Sequence, residues 1–334
     1  MTRHRMPRPR AHPGAGNHGD GHAGQCAGQE AGREHFCALI GCSSAFGRLG
    51  RMKTERIEGA DGVMINVAVE GSGPAIVLLH GFPQTHLMWR HVAPALASEY
   101  TVVCPDLRGY GDSDKPVGAA AYAKREMARD VLAVSERLGF GSFALVGHDR
   151  GALVAFRAAL DHPRRVTHLA SLDVLPTIDM WEVMRGSSAK IAFHLYLMAQ
   201  PPGLPERMIA AAADDFFGHF LDLWALDRKA IPADVRERYL DACRKAVPSI
   251  VADYRASAGI DVEHDEKDRA SGRQLVMPVT VLQQDWGAEL GFDAAALWRA
   301  WAPDLVHESV PYGHFMAEEA PEAVVEAVRS LLLR

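Results

Sequence analysis

The sequence predicts an α/β protein with a doubly wound, mostly parallel β-sheet and an inserted helical cap. Short apolar runs, typical of strands buried on both faces, alternate with segments of helical spacing from about residue 60 onward. This alternation stops at residue 178, gives way to helical patterns up to residue 276, and then resumes. Alternating strands and helices form parallel sheets with helices on both faces, so we expect both ends of this region to build one sheet.

Length and composition bound the class of protein. The chain has 334 residues, of which 48% are hydrophobic and 23% charged, with a net charge of -6. This suits one large domain with an insertion. The mild acidity argues against nucleic acid as a partner, and no apolar run is long enough to span a membrane. The chain has an odd number of cysteines, and they are scattered along it: Cys26, Cys37, Cys42, Cys104 and Cys243. We therefore expect them to be reduced thiols in a cytoplasmic protein.

Residues 1–51 differ from the rest of the chain. They are rich in Gly, His, Arg and Ala and have almost no periodic apolar residues. Such a segment buries too little surface to offset its ordering entropy. It lacks the pattern of a secretory signal, and its His and Cys residues lack zinc-site spacing. We interpret it as a disordered or mis-called leader, with the true start at Met52.

The core is predicted to occupy residues 52–177 and 277–334, and the cap residues 178–276. In the cap, prolines are expected to separate helices at Pro201, Pro202, Pro205, Pro232 and Pro248. The Gly- and Asp-rich loop 105–114 is interpreted as architectural. The predicted strands are 63–69, 75–79, 100–104, 143–146, 166–172, 279–283 and 306–310. The predicted core helices are 87–96, 121–138, 152–160, 294–301 and 322–333.

A nucleophile elbow follows strand 143–146. Gly147, His148, Asp149, Arg150 and Gly151 form the small-x-nucleophile-x-small turn of α/β-hydrolases, with Asp where Ser is commoner. The sequence therefore predicts the α/β-hydrolase fold. The glycines suit a strained turn that passes close to its neighbours.

An aspartate nucleophile restricts the chemistry. A carboxylate that attacks an ester carbonyl would form an anhydride, which lies uphill, whereas attack on a saturated carbon forms an ester that water can hydrolyse. Asp149 therefore favours displacement of a halide or of an epoxide oxygen. The alternative is that Asp149 only caps the following helix.

The loop after strand 75–79 carries the sequence HGFP, residues 80–83. In this fold that loop supplies one backbone N–H of an oxyanion hole, here from Phe82, and the residue after the nucleophile, Arg150, supplies the second. The alternative is a plain strand-to-helix turn.

His314 lies in the loop after the last strand, which is where this fold places its base. Two carboxylates follow strands and could orient it: Asp173 and Asp285. Spacing alone leaves both open, because either carboxylate could simply cap a strand end.

Several motifs together resemble the fluoroacetate (haloacetate) dehalogenases over about residue 60 to the C-terminus. They are HGFPQTHLMW, DLRGYGDSDKP, GHDRGA, LDVLPT, AQPPGLPE, DYRA, EHD and GHFMAEEAP. GHDRGA and LDVLPT are the specific parts, while HGFP is shared with epoxide hydrolases and many others.

The resemblance implies hydrolysis of a small 2-haloacid such as haloacetate, without a metal or organic cofactor, by a homodimer. It selects Asp173 rather than Asp285 as the acid. Residue by residue, it implies Asp149 as nucleophile, His314 as base, Arg150 as partner of a substrate carboxylate, His194 and Tyr254 as halide-binding residues and Trp224 as a pocket-lining residue.

Two positions depart from the family. A second carboxylate-binding arginine is replaced by Leu153, and a tryptophan of the halide site by Leu195. The first change removes about 1.5–3 kcal/mol of charge-assisted hydrogen bonding, and the second removes a donor to fluoride. Both weaken the expectation of haloacetate as substrate and favour a less polar alkyl halide or an epoxide.

Two rival functions remain at this point. An epoxide hydrolase would use the same Asp-His-Asp triad and would need two of the cap tyrosines Tyr196, Tyr239 and Tyr254 to converge above Asp149. A ligand-binding protein on a decayed hydrolase scaffold is the other rival, although the complete set of Asp149, His314 and HGFP argues against it.

Overall fold

The computed structural model describes residues 53–334. The leader 1–51 and its cysteines therefore lie outside the described residues. Within the described range, one sheet has eight strands in the order β1-β2-β4-β3-β5-β6-β7-β8. The strands are β1 Thr54–Glu58, β2 Met64–Gly71, β3 Ala75–Leu79, β4 Thr101–Pro105, β5 Phe143–His148, β6 Val166–Leu172, β7 Val279–Gln283 and β8 Leu305–Ser309. Strand β2 is antiparallel to both neighbours and the other pairs are parallel, which confirms the mostly parallel sheet.

The helices lie on both faces of the sheet and in the cap. They are α1 Val92–Leu96, α2 Lys124–Arg137, α3 Arg150–Asp161, α4 Thr177–Val183, α5 Phe193–Met198, α6 Leu204–Ala211, α7 Ala213–Leu223, α8 Ala233–Ser257, α9 Ile260–Ala270, α10 Trp286–Leu290, α11 Ala294–Trp301, α12 Met316–Glu319 and α13 Pro321–Leu332. Short 3₁₀ turns span Ala60–Gly62, His86–Trp89, Ala119–Tyr122, Gly186–Lys190 and Arg228–Ala230.

The register of the central strands brings the functional loops together. Leu79 at the end of β3 pairs with Gly147 of β5, His148 pairs with Leu172 at the end of β6, and Leu172 pairs with Leu282 of β7. Every residue of β3 and β5 is buried, as continuous apolar strands require. The HGFP loop, the elbow and the loops after β6 and β7 therefore open at one edge of the sheet.

Between β6 and β7 the described residues form helices α4 to α9 and no strand. One prediction for this region is wrong: Pro248 lies inside α8 instead of ending a helix. A proline in a helix interior removes one backbone hydrogen bond. Extensive burial of α8, which includes Val247, Ser249 and Ile250, outweighs that local cost. None of the helices among residues 53–334 combines the length and apolarity needed to cross a bilayer.

The loop 105–114 holds a buried carboxylate that organises its surroundings. Asp106 Oδ2 accepts hydrogen bonds from Asn66 Nδ2 at 2.8 Å and from the Asp112 backbone N–H at 3.0 Å. Its Oδ1 accepts one from the His86 backbone N–H at 2.8 Å. These bonds tie the loop to β2 and to the chain after the HGFP loop, which agrees with an architectural role.

Candidate active site

The elbow between β5 and α3 is strained and closely packed. Asp149 has φ 45° and ψ −116°, a conformation rare for a residue with a side chain. A Cβ atom on Gly147 would lie 2.5 Å from the Ala152 Cα, and one on Gly151 would collide with the carbonyl oxygens after β3. The two glycines therefore allow helix and strand to approach closely around the Asp149 backbone.

The carboxylate of Asp149 points to the HGFP loop. Its Oδ1 accepts a hydrogen bond from the Phe82 backbone N–H at 2.9 Å. Asp149 is the N-cap residue of α3, but its side chain makes no capping hydrogen bond to the helix. Arg150 is the first residue of α3 and its backbone N–H lies directly after the carboxylate, where this fold expects the second oxyanion donor.

His314 is held by Asp173 across the sheet edge. His314 Nδ1 and Asp173 Oδ2 lie 2.7 Å apart. Asp173 also accepts hydrogen bonds from the Gln284 backbone N–H at 2.9 Å and from Gln284 Nε2 at 2.6 Å. Of the two carboxylates left open by spacing, Asp173 therefore contacts the histidine, while Asp285 is exposed. Gln284 was not singled out by sequence reasoning, because only the register of β6 and β7 brings it to Asp173.

The surroundings of His314 and Asp173 shift the pKa values of these two residues in opposite directions. Burial lowers the pKa of His314, but the hydrogen bond and charge of Asp173, with the charge of Asp149, outweigh it and raise the pKa above 6.5. Burial raises the pKa of Asp173, but the bonds from His314 and Gln284 outweigh it and lower the pKa below 3.8. Asp173 is thus ionised at neutral pH and His314 is a stronger base than an ordinary histidine.

The backbone of His314 is fixed from two sides. His148 Nε2 lies 2.8 Å from the His314 carbonyl oxygen, and the His314 backbone N–H donates to the Trp224 carbonyl at 2.9 Å. Burial lowers the pKa of His148 to about 3, so its imidazole is neutral. His314 Nε2 is buried and has no hydrogen-bond partner among the described residues. That nitrogen is therefore available to a water or substrate. The sequence analysis names His148 only as part of the elbow turn, since no spacing signal connects it to the His314 backbone.

Two cap residues present unpaired polar atoms beside the elbow. Within the described part of the chain, the Tyr254 hydroxyl and His194 Nδ1 are buried without hydrogen-bond partners. Their rings lie 5.6 Å apart between centroids, and the Trp224 ring lies 5.2 Å from that of His194. Burial lowers the pKa of His194 to about 3, so it is neutral at pH 7. A neutral imidazole and a phenol can each donate one hydrogen bond to a halide.

The guanidinium of Arg150 is already engaged by the cap. Its Nε and Nη2 donate to the two carboxylate oxygens of Asp253, each at 2.8 Å, and Nη2 also donates to Ser257 Oγ at 2.7 Å. The guanidinium carbon lies 4.2 Å from the centre of the Tyr254 ring. Asp253 begins the DYRA motif, but the sequence analysis assigns a role there only to Tyr254, because no spacing signal connects Asp253 to the elbow.

The other cap tyrosines do not converge on Asp149. The Tyr196 hydroxyl donates to the Met184 carbonyl at 2.7 Å, and the Tyr239 hydroxyl donates to Glu318 Oε1 at 2.6 Å. Neither is among the described residues that line the cavity above Asp149, whereas Tyr254 is.

That cavity has a volume of about 410 Å³. Its polar end comprises Asp149, Arg150, Asp173, His194, Trp224, Tyr254 and His314. Leu153 and Leu195, the two departures from the family pattern, both line it. The structure thus brings all predicted site residues except Phe82 to the cavity surface, and Phe82 contributes through its N–H to Asp149.

Comparisons with known proteins agree with this architecture. A family model for the alpha/beta hydrolase fold matches residues 74–321. A fluoroacetate dehalogenase from Burkholderia sp. is 42% identical over 277 residues, which cover 81% of this chain and 90% of that protein. A soluble epoxide hydrolase from Corynebacterium sp. (strain C12) is 32% identical, covering 80% of this chain and 92% of that protein.

A solved structure shows the same similarity in three dimensions. ALR0039, a provisionally assigned α/β hydrolase from Nostoc sp. PCC 7120, superposes with a TM-score of 0.81 at 39% sequence identity. The superposition covers 85% of this chain and 99% of that one.

Proposed function

The chain belongs to the α/β-hydrolase family, and on that premise we propose that it hydrolyses a carbon–halogen bond through an alkyl ester on Asp149. One observation carries the proposal. A carboxylate occupies the nucleophile position and shares a cavity with a carboxylate-bound histidine and two unpaired hydrogen-bond donors. The relationship to a fluoroacetate dehalogenase supports the same reaction class.

In the first step, the Asp149 oxygen that is not bound to Phe82 attacks the halogen-bearing carbon. A C–O bond forms while the C–X bond breaks, and the halide leaves with its electron pair toward His194 and Tyr254. The unpaired donors of these two residues support this direction of departure, because neither has an acceptor among the described residues and a departing halide would supply one. The cap, residues 178–276, supplies both donors and would close the site over the substrate.

In the second step, His314 Nε2 takes a proton from water as the water oxygen attacks the Asp149 carboxyl carbon. The negative charge develops on the oxygen that already accepts from the Phe82 N–H, with the Arg150 N–H as second donor. Asp173 stabilises the imidazolium formed in this step. Collapse of the intermediate breaks the ester C–O bond, and the His314 imidazolium protonates the departing alkoxide to give the alcohol. The carboxyl group of Asp149 loses its remaining proton to solvent, which restores the carboxylate.

An epoxide hydrolase is the second candidate, supported by the Corynebacterium relative and by the unpaired Tyr254 hydroxyl. Ring opening requires an acid that protonates the departing oxygen. Tyr254 could serve, but Tyr196 and Tyr239 are committed to other acceptors. Neutral His194 is a weak acid. Halide departure needs hydrogen bonds but no proton transfer, so the carbon–halogen reaction fits these donors better.

The test uses two variants of the full chain and a panel of alkyl bromides with styrene oxide. Asp149→Asn should abolish bromide release. His314→Asn should release about one bromide per enzyme and then stop, because water is no longer activated, and intact mass should show the alkyl adduct. His168→Asn, on β6 away from the cavity, is the control. Diol without bromide would favour the epoxide hydrolase. Turnover by Asp149→Asn, or no adduct on His314→Asn with a substrate that the wild type turns over, would refute the ester mechanism.

A further inference from the structure

The charges around the cavity identify the class of substrate. Among the described residues that line it, three carry carboxylates, Asp149, Asp173 and Glu289, and one carries a guanidinium, Arg150. With His314 neutral, the form needed to activate water, the lining is net negative. Glu289 lines the cavity and is exposed. An anionic substrate would therefore enter a site that already carries excess negative charge.

The positive charge of Arg150 is compensated from behind. Asp253 is fully buried and binds the guanidinium through both carboxylate oxygens, as two charged groups removed from water require. Lys124 also contacts Asp253 and lies near Asp261, so the buried cations and carboxylates balance without a ligand. Arg150 therefore has little unpaired charge left for a substrate carboxylate.

The neighbouring position offers no second cation. Leu153 packs with Ala152 and Val174 in a small apolar cluster, with Met180 against it. Leu153 is only 5% exposed, and it faces the cavity one helical turn after Arg150. The surface that would have to bind a carboxylate is thus hydrocarbon.

The remaining cavity wall is also apolar, and the cavity is larger than a haloacetate requires. A haloacetate has only two carbons, whereas a cavity of about 410 Å³ is in the range that holds drug-sized ligands. Beyond the polar end, the wall is formed by Leu153, Val174, Met180, Met184, Ile191 and Leu290. A two-carbon anion would leave most of this wall without contact, while an alkyl chain would cover it.

We propose that the substrate is an uncharged organohalide with an apolar tail rather than the small 2-haloacid implied by the resemblance. The halogenated carbon lies at Asp149 and the tail lies along the Leu153 wall. This inference rests on the proposed carbon–halogen hydrolysis, and it names the substrate of that same site.

The turnover test compares bromoacetate with bromoacetamide, which have the same size and reacting carbon and differ in charge, and adds 1-bromobutane and 1-bromohexane. Bromide release is measured with the full chain and corrected with Asp149→Asn. We expect kcat/KM to be at least tenfold higher for bromoacetamide than for bromoacetate, and to rise from bromobutane to bromohexane. Equal or higher kcat/KM for bromoacetate would overturn the inference and leave the dehalogenase proposal intact.

A binding test is independent of turnover. Isothermal titration calorimetry with the full chain compares hexanamide with hexanoate, which share the tail and differ in charge. Tighter binding of hexanamide by at least tenfold supports an uncharged ligand with an apolar tail. If the bromides are then not hydrolysed, the proposed carbon–halogen reaction is refuted while the preference of the cavity for uncharged ligands stands. Equal or tighter binding of hexanoate overturns the inference whatever the bromides show.

Two variants test separately how the apolar wall at Leu153 and the exposed charge of Glu289 contribute to substrate preference. Leu153→Arg should raise the bromoacetate-to-bromoacetamide ratio of kcat/KM at least tenfold, with Leu153→Met as the matched neutral control. Because a new buried arginine can impair folding, Glu289→Gln provides an exposed alternative and should raise the same ratio about twofold to fivefold, the effect of removing one partly screened charge. No change of the ratio in Glu289→Gln and in folded Leu153→Arg would contradict the charge argument.

Discussion

At the elbow, the backbone of Asp149 occupies a region of φ and ψ that costs about 1–3 kcal/mol. The cost is tolerated because Gly147 and Gly151 let the surrounding chain close around it. The conformation turns the carboxylate away from the helix that it precedes and toward the Phe82 N–H. One oxygen is thereby fixed, and the other is left for the substrate.

The raised pKa of His314 predicts the pH dependence of turnover. Only the neutral imidazole activates water, so steady-state activity should fall as the pH decreases through a pKa that lies above 6.5. Alkylation of Asp149 does not need the base. A burst of about one halide per enzyme should therefore persist on the acidic side. Stopped-flow halide release and steady-state rates between pH 5 and 9 measure both quantities.

The same experiment on Asp173→Asn isolates the cause of the shift. The carboxylate of Asp173 is the main group that raises the pKa of His314. Its removal should move the acidic limb to lower pH and reduce the rate. An acidic limb that stays in place in Asp173→Asn, or a burst that disappears together with the steady-state rate, would contradict the assigned roles.

The order of motifs along the chain was sufficient to single out Asp149 and His314 as candidates, because in this fold the elbow comes before the loop that carries the histidine. It did not distinguish Asp173 from Asp285, and it gave no sign of Gln284 or Asp253. Gln284 reaches Asp173 across 111 positions and Asp253 reaches Arg150 across 103. Such contacts depend on strand register and on the placement of α8, which local patterns do not encode.

At the scale of elements, α8 of the cap is joined to the short helix α12 by a buried polar cluster. The Tyr239 hydroxyl and Gln84 Nε2 both donate to Glu318 Oε1, at 2.6 and 3.1 Å. Arg90 forms an ion pair with the same carboxylate. Each partner comes from a different segment, so the cluster fixes the cap helix relative to the chain that follows Phe82.

Tyr239→Phe should therefore destabilise the protein without altering the cavity lining. Burial raises the pKa of Glu318 to about 7, so its carboxylate is ionised at pH 9. A buried hydrogen bond to a charged group contributes about 1.5–3 kcal/mol, and we expect a loss in that range in urea unfolding at pH 9. Tyr100→Phe, at a half-buried core position, is the matched control and should cost less than about 0.5 kcal/mol. If the free energy of unfolding falls no further in Tyr239→Phe than in the control, the hydroxyl does not stabilise the contact between α8 and α12.

Strands that are buried on both faces were predictable from the sequence, because burial requires mostly apolar residues. Strands β3, β6 and β7 were predicted with their observed bounds, since each is short and most of its residues are buried. Strand β1, TERIE, was missed because it lies at the sheet edge, is largely exposed and carries charged residues. Residues 87–96 were predicted as one helix but form a 3₁₀ turn and α1, and Pro248 was read as a helix boundary inside α8. In these cases tertiary packing outweighed local propensity.

At the scale of the whole molecule, core and cap share a buried network of charges beneath the cavity. Asp253 of α8 contacts Lys124 at the start of α2 and Arg150 at the start of α3, and it accepts a hydrogen bond from the Tyr110 hydroxyl at 2.7 Å. Burial raises the pKa of Asp253, but the two cations outweigh it and lower the pKa below its ordinary value. The carboxylate therefore stays ionised and couples the cap to α3, the helix that follows Asp149.

Asp253→Asn should leave two buried cations without their shared anion. Removing one partner of a buried ion pair costs about 3–5 kcal/mol, so we expect a loss of that size in urea unfolding at pH 7. The depressed pKa contributes stability above the unfolded pKa of about 3.9, which is lost as the pH falls toward the folded pKa. The variant should therefore lose part of the wild-type acid sensitivity. Asp241→Asn, exposed on the same helix, should cost less than about 1 kcal/mol. Equal losses in both variants would show that the network does not hold the cap to the core.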